Sequence, residues 1–192
     1  MSTQGLDPLA CALFLVAAFV LAGSAQALWL GSEASRRWSW PLDGGRTFRG
    51  RRLLGDNKTA RGFVVMMPAT GLAFLLLALA GSGTPGLWRL TPAQYLGLGI
   101  LAGAGCMLGE LPNSFIKRQV GIPPGAPADG PLARRLFFAV DRLDSTLGVV
   151  AALMLAVPVP PATVLYVLLA GVVVHGALSV MTFRLGGKAR PA

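Results

Sequence analysis

The sequence predicts an all-α, polytopic membrane bundle of about five transmembrane helices, with the N-terminus outside and the C-terminus inside. Three observations carry this prediction. Hydrophobic residues make up 54% of the 192 residues and charged ones only 13%, about half the charged share usual in a soluble domain. With a mean hydropathy of +0.62, the chain lacks the polar residues that a water-facing surface needs. Apolar runs recur at bilayer-crossing length, and the charged residues gather in alternate loops. In a soluble protein the net charge of +9 would suggest a nucleic-acid partner. Here membrane topology accounts for it, and no nucleic acid is expected.

The first run, 8–30, is long enough to cross a hydrocarbon core of about 30 Å. Ala25-Gln26-Ala27 resembles a signal-peptidase site, but Asp7 stands where a signal peptide carries a positive charge, so the run is read as a retained span. The second span is 62–80, the third 92–109 and the fifth 162–183. The fourth is less simple. Its uncharged stretch, 145–157, is too short to cross alone, so the span is drawn as 136–157. That choice brings Asp141 and Asp144 into the helix, where carboxylates are costly unless they face a polar cavity or a cation. One domain, 1–192, is expected, with its working loops at 31–61 and 110–143.

Of the 17 Lys and Arg, all but Arg89 fall in loops 31–61 and 110–143 or in the tail, where Lys188 and Arg190 lie. The positive-inside rule assigns that side to the cytoplasm, which requires an odd number of spans. All but Asp7 of the eight acids share the same side, which orientation alone does not require. Such a mixed-sign face suggests chemistry or ligand binding. Cys11 and Cys106 each lie in an apolar run and read as packing residues. Clustered Cys/His spacing for zinc is missing. Trp29, Trp38, Trp40 and Trp88 read as interfacial anchors at span ends.

Three polar blocks line the inner side. The first, Gly55-Asp56-Asn57-Lys58-Thr59-Ala60-Arg61-Gly62, reads either as a turn with juxtamembrane charge or as a phosphate cradle of cations and hydrogen-bond donors. It is not a P-loop. Gly50 and Gly55 have the glycine spacing, but Lys58-Thr59 comes two residues late. In the second, Gly109-Glu110-Leu111-Pro112-Asn113-Ser114-Phe115-Ile116-Lys117-Arg118, Pro112 is expected to break the helix. Asn113 and Ser114 would then start a new turn that suits an anion. In the third, Asp141-Arg142-Leu143-Asp144-Ser145, the two aspartates stand at i and i+3 on one helix face. A divalent cation would resolve their repulsion, and a carboxylate pair plus substrate phosphates is how Mg²⁺ is usually held. The alternative is a salt bridge to Arg142 or Arg135. Together the blocks suit phosphoryl or nucleotidyl transfer to a lipid, which asks for positioning and charge neutralisation rather than a protein nucleophile. His175, midway along the fifth span, reads first as packing and second as a ligand.

In order and spacing these blocks, with Pro124-Gly125 between the second and third, resemble the CDP-archaeol synthase family and the related phosphatidate cytidylyltransferases. The resemblance runs from about Asp43 to the tail and includes a Ser-x-x-Lys-Arg element followed by Asp-Arg-x-Asp. It implies transfer of CMP from CTP to a membrane lipid phosphate, archaetidic or phosphatidic acid-like, giving a CDP-lipid and pyrophosphate for phospholipid biosynthesis. Mg²⁺ would be the cofactor, and a second cation such as K⁺ is left open. Asp141, Asp144 and Lys117 would be catalytic, with Asp141, Asp144 and Glu110 around the metal. Asp56, Asn57, Lys58, Arg61, Asn113, Ser114, Lys117 and Arg118 would bind nucleotide. The expected partners are CTP, the lipid phosphate and membrane lipids, with room for a homo-oligomer. The expected place is the cell inner (cytoplasmic) membrane, the active site facing the cytoplasm.

Two features depart from the pattern. Ser179 stands where the family's last-span histidine, here His175, is followed four residues later by Asn, and the Ala-, Gly- and Arg-rich composition suggests a bacterial member. CDP-alcohol phosphotransferases are disfavoured because Asp43-Gly44-Gly45-Arg46 lacks the rest of their signature. The alternative of a different class is a non-enzymatic small membrane transporter or scaffold.

Overall fold

The computed structural model describes residues 2–81 and 83–187; Lys188 and Arg190 lie outside them. Its elements run α1 (Pro8–Gly31), α2 (Glu33–Arg36), β1 (Thr47–Phe48), β2 (Arg51–Arg52), α3 (Ala60–Ala80), α4 (Pro92–Gln119), α5 (Pro131–Ala156) and α6 (Pro161–Arg184). The all-α expectation holds apart from the two-stranded hairpin. That hairpin turns on Arg49 and Gly50, both at positive φ (53° and 77°), as a two-residue turn between right-twisted strands requires.

Helix boundaries follow local chemistry. Asp7 caps α1 by accepting from the N–H of Leu9 and Ala10 at 2.8 and 3.3 Å, and Pro8 opens the first turn. Thr91 and Gln94 form a capping box at the start of α4. The expected break at Pro112 does not occur. Proline removes one ladder bond, and α4 continues through it to Gln119. The third span therefore reaches ten residues past its expected end at 109, and α5 begins at 131 rather than 136.

Five long helices close into a ring in which α1 packs on α3, α3 on α4, α4 on α5, α5 on α6 and α6 back on α1. Among the described residues, α1, α3, α4 and α6 are long and apolar enough to cross a membrane. The fifth long helix, α5, is long enough but carries more charge. One end of the ring is filled by Phe14, which meets Phe74 edge-on at 5.1 Å and Tyr95 at 5.5 Å. Trp88 joins this cluster and is buried, its Nε1 donating to the Pro158 carbonyl at 2.8 Å. The interfacial reading of Trp88 is thus corrected, because the loop before α4 folds inward over the ring. Trp38 and Trp40 are exposed, as anchors would be.

Candidate active site

The other end of the ring is polar. Because α4 is unbroken, Glu110, Asn113, Ser114 and Lys117 fall at i, i+3, i+4 and i+7 on one face. On α5, Asp141, Asp144 and Ser145 form the facing stripe. Small residues let the two helices meet closely. A Cβ on Gly105 would lie 2.5 Å from both Ala152 Cβ and the Gly148 carbonyl oxygen. One on Gly109 would lie 2.9 Å from Gly148 Cα.

Across this seam Asn113 Nδ2 donates to Asp141 Oδ1 at 2.6 Å and to Asp144 Oδ2 at 2.9 Å. One atom therefore binds both carboxylates together. Lys117 Nζ donates to both oxygens of Asp141. Lys58 pairs with Glu110 Oε2, and Ser145 Oγ donates to Glu110 Oε1 at 2.8 Å. Burial works against the charge of Lys58, and the Glu110 carboxylate more than offsets it, so the lysine pKa lies above its ordinary value. Glu110 is occupied by these partners. Among the described residues no three of His, Cys, Asp and Glu gather as a metal group.

The first loop is pinned from beneath by Asp43. Its side chain is fully buried and accepts from Arg52 at 2.7 Å and from the N–H of Gly45, Leu54 and Gly55 at 3.0, 3.0 and 3.1 Å. Arg52 chiefly, with those backbone donors and against the effect of burial, holds the Asp43 carboxyl well below the usual carboxylate range. Gly55 then brings the loop against Arg118 and Pro124, where a Cβ would lie 2.8 Å from Pro124 Cγ.

These elements enclose a cavity of about 1030 Å³, lined by residues of all five long helices and by loop 120–130. Asn57, Lys58, Arg61, Glu110, Asn113, Ser114, Lys117, Arg118, Asp141 and Asp144 all line it, so the expected site residues converge with one exception. Asp56 is mostly exposed, pairs with Arg52 at 2.8 Å and lines a separate pocket of about 340 Å³ with Arg51 and Arg118. Within the main cavity Lys58, Arg61, Lys117, Arg118, Arg134 and Arg142 outnumber the three carboxylates. The wall is therefore suited to a polyanion. Arg118 is buried, its Nη1 donating to the Ile122 carbonyl. Arg142 is buried too, 4.6 Å over the Phe138 ring and beside Gly176 of α6.

A family model described as CarS-like, CDP-archaeol synthase, matches residues 9–191. The chain belongs to the CarS-like CDP-archaeol synthase family. CDP-archaeol synthase of Halobacterium salinarum is 41% identical over 120 residues, covering 62% of this chain and 61% of that one. The match thus spans about three fifths of that relative's length. The Thermococcus kodakarensis CDP-archaeol synthase is 32% identical over 161 residues, covering 79% of this chain and 81% of that one. The fold is similar to a solved intramembrane enzyme for archaeal membrane lipid biosynthesis. Its TM-score is 0.59 at 27% identity, covering 85% of this chain and 92% of that one. With several apolar helices and this likeness, the chain is a multi-pass membrane protein.

Asp43 and Ser145 have no role among the site residues expected from the sequence. For Asp43 a signal existed: an acid directly before Gly44-Gly45 is the usual start of an Asx-type turn. Ser145 lies one residue after Asp144 and faces Glu110 only because α4 and α5 approach so closely.

Proposed function

We propose that this CarS-like chain transfers CMP from CTP to a membrane lipid phosphate, archaetidic or phosphatidic acid-like, releasing pyrophosphate. The observation that carries the reading is the joint hold of Asn113 on Asp141 and Asp144 under a cationic cavity. Family membership supports cytidylyl transfer as the chemistry. In this reading 1–192 is one catalytic domain, α5 is a fifth span, and the charged end of the ring faces the cytoplasm in the cell inner membrane.

The step is an in-line displacement. An oxygen of the lipid phosphate forms a bond to the α-phosphorus of CTP. The bond from that phosphorus to the β-phosphate oxygen breaks, and pyrophosphate leaves with the electron pair. Lys58, Arg61, Lys117 and Arg118 neutralise the phosphates as they approach one another. Asn57, Asn113 and Ser114 offer hydrogen-bonding groups that orient the nucleotide. The donor set fits Mg²⁺, because Asp141 and Asp144 present hard carboxylate oxygens held toward one point, and these two residues would hold it. When bound, the cation supplies charge neutralisation at the phosphates. Lys117 must then share or yield Asp141, which makes it both a holder of the carboxylate and a phosphate partner.

The test uses the purified chain, radiolabelled CTP and a panel of diacyl and dialkyl glycerol phosphates, with and without Mg²⁺. A CDP-lipid formed only with Mg²⁺ is expected. In Asp144→Asn, turnover should fall by roughly a hundredfold or more, since charge at a transferring phosphoryl group is worth that much, while the unfolding temperature holds. A chain that makes no CDP-lipid from any substrate, or a variant that keeps full turnover, would refute the assignment.

A further inference from the structure

The first loop carries a basic and aromatic surface that the cavity does not use. Arg36, Arg37, Arg46 and Arg49 are all exposed, and among the described residues no ion pair engages them. Trp40 is 66% exposed, Phe48 46% and Trp38 45%. None of these side chains lines the cavity. The positive-inside rule accounts for arginines on this side, but it does not call for large aromatic rings standing out beside them. In water such rings gain nothing from exposure.

Their places in the fold give the reason. α2 follows directly on α1, and the Trp40 carbonyl accepts from the N–H of Ala60, the first residue of α3, at 3.1 Å. Trp38 and Trp40, with ring centres 5.9 Å apart, therefore sit where one apolar helix ends and the next begins. The hairpin reaches the same rim. Phe48 meets Phe115 of α4 at 6.1 Å, one residue before the exposed Ile116, so the strand pair rests against the flank of a third apolar helix. Arg49 at the turn lies 5.2 Å over the Phe48 ring, which sets a cation directly beside an aromatic.

We propose that this arm, 33–50, lies on the bilayer surface and binds anionic phospholipid headgroups, with Trp38, Trp40 and Phe48 at headgroup depth and the four arginines on the lipid phosphates. A guanidinium meets a phosphate through two parallel hydrogen bonds. A zwitterionic headgroup brings its own cation and gains less. Glu33 is the exposed acid of the arm, Asp43 being buried, so the balance stays positive. A soluble polyanion would answer the arginines but leave the rings in water, whereas a bilayer answers both.

The experiment titrates the purified full-length chain, in a neutral detergent, with phosphatidylglycerol or with phosphatidylcholine of matched acyl chains. Retained lipids are counted by native mass spectrometry. Phosphatidylglycerol should bind with a Kd about fivefold or more below that of phosphatidylcholine, the scale of one basic residue at an anionic surface. Raising the ionic strength from about 0.02 to about 0.2 M should narrow the gap, because exposed charges are screened. Arg36→Gln, Arg37→Gln, Arg46→Gln and Arg49→Gln together should bring the two lipids near parity, and lysine at the same four positions should keep most of the preference. Arg46→Gln with Arg49→Gln alone, confined to the exposed hairpin, guards against a folding defect and should lose part of it. The cavity keeps its cations in every variant, so a preference that survives both glutamine sets belongs to the cavity and overturns the inference. Equal binding of the two lipids by the unaltered chain overturns it as well. So does displacement of the bound lipid by an equal concentration of soluble tripolyphosphate, which would make the surface a site for free polyanions.

Discussion

Asp43 shows how one side chain can set the geometry of a site it does not line. It is fully buried, and its oxygens take Arg52 and three backbone N–H groups, an arrangement typical of a carboxylate that organises a loop. Two of those N–H groups belong to Leu54 and Gly55, just before Asn57 and Lys58, so the hold on Asp43 fixes where Lys58 meets Glu110. Asp43→Asn keeps the shape and removes the charge, and it should cost roughly 1.5–3 kcal/mol, the range for hydrogen bonds to charged groups. KM for CTP should rise alongside this loss of stability. The pH dependence has a definite sign. The folded carboxyl titrates below its unfolded value of about 3.9, so its stabilisation is complete above about pH 4 and is lost as pH falls further. The deficit of the Asn variant, read from thermal unfolding in detergent, should be constant between about pH 5 and 8 and shrink below about pH 4. A deficit that persists undiminished in acid would refute the role of the charge.

At the scale of elements, the site depends on how closely α4 and α5 meet. Gly105, Gly109 and Gly148 let backbone touch backbone, and this approach brings Asn113 to Asp141 and Asp144. Gly148→Leu should push the helices apart, lowering stability by about 1–3 kcal/mol or more through overpacking and turnover by at least roughly tenfold as the positioned carboxylates shift. Gly97→Leu, on a part of α4 where a Cβ meets nothing within 4 Å, is the control and should leave both near normal. Equal effects from the two would show that the seam does not position the site. A signal for the seam stood unread in the sequence, Gly105-x-x-x-Gly109, a small-residue spacing that brings membrane helices together. The four most apolar helices were legible because hydropathy and length are local properties. The course of α4 through Pro112 was not. Local rules favour a break there, whereas in a packed helix proline removes a single bond and the rest of the ladder carries on. The three blocks signalled a charged site, but which carboxylate takes which lysine depends on contacts between helices far apart in sequence. Glu110 accordingly meets Lys58 and Ser145, one from the first loop and one from α5.

For the whole molecule, the ring joins two gradients, charge along its axis and polarity across its cavity. The aromatic plug of Phe14, Phe74, Tyr95 and Trp88 closes the end with little charge. Lys58, Arg61, Lys117 and Arg118 gather at the other. Such a molecule works only if all five long helices cross, because a surface-lying α5 would carry Asp141 and Asp144 away from α4. Membrane sidedness tests this directly. Single cysteines at Thr84, Asp129 and Leu185, placed in a background where the buried Cys11 and Cys106 are replaced by alanine, can be probed with a membrane-impermeant maleimide. Thr84 should label in intact cells, whereas Asp129 and Leu185 should label only after permeabilisation. Because α5 and α6 lie between them, positions 129 and 185 share a side only if both helices cross or neither does. The very apolar α6 makes the second case untenable. Labelling of Asp129 and Leu185 from opposite sides would therefore remove α5 from the membrane and dismantle the site with it.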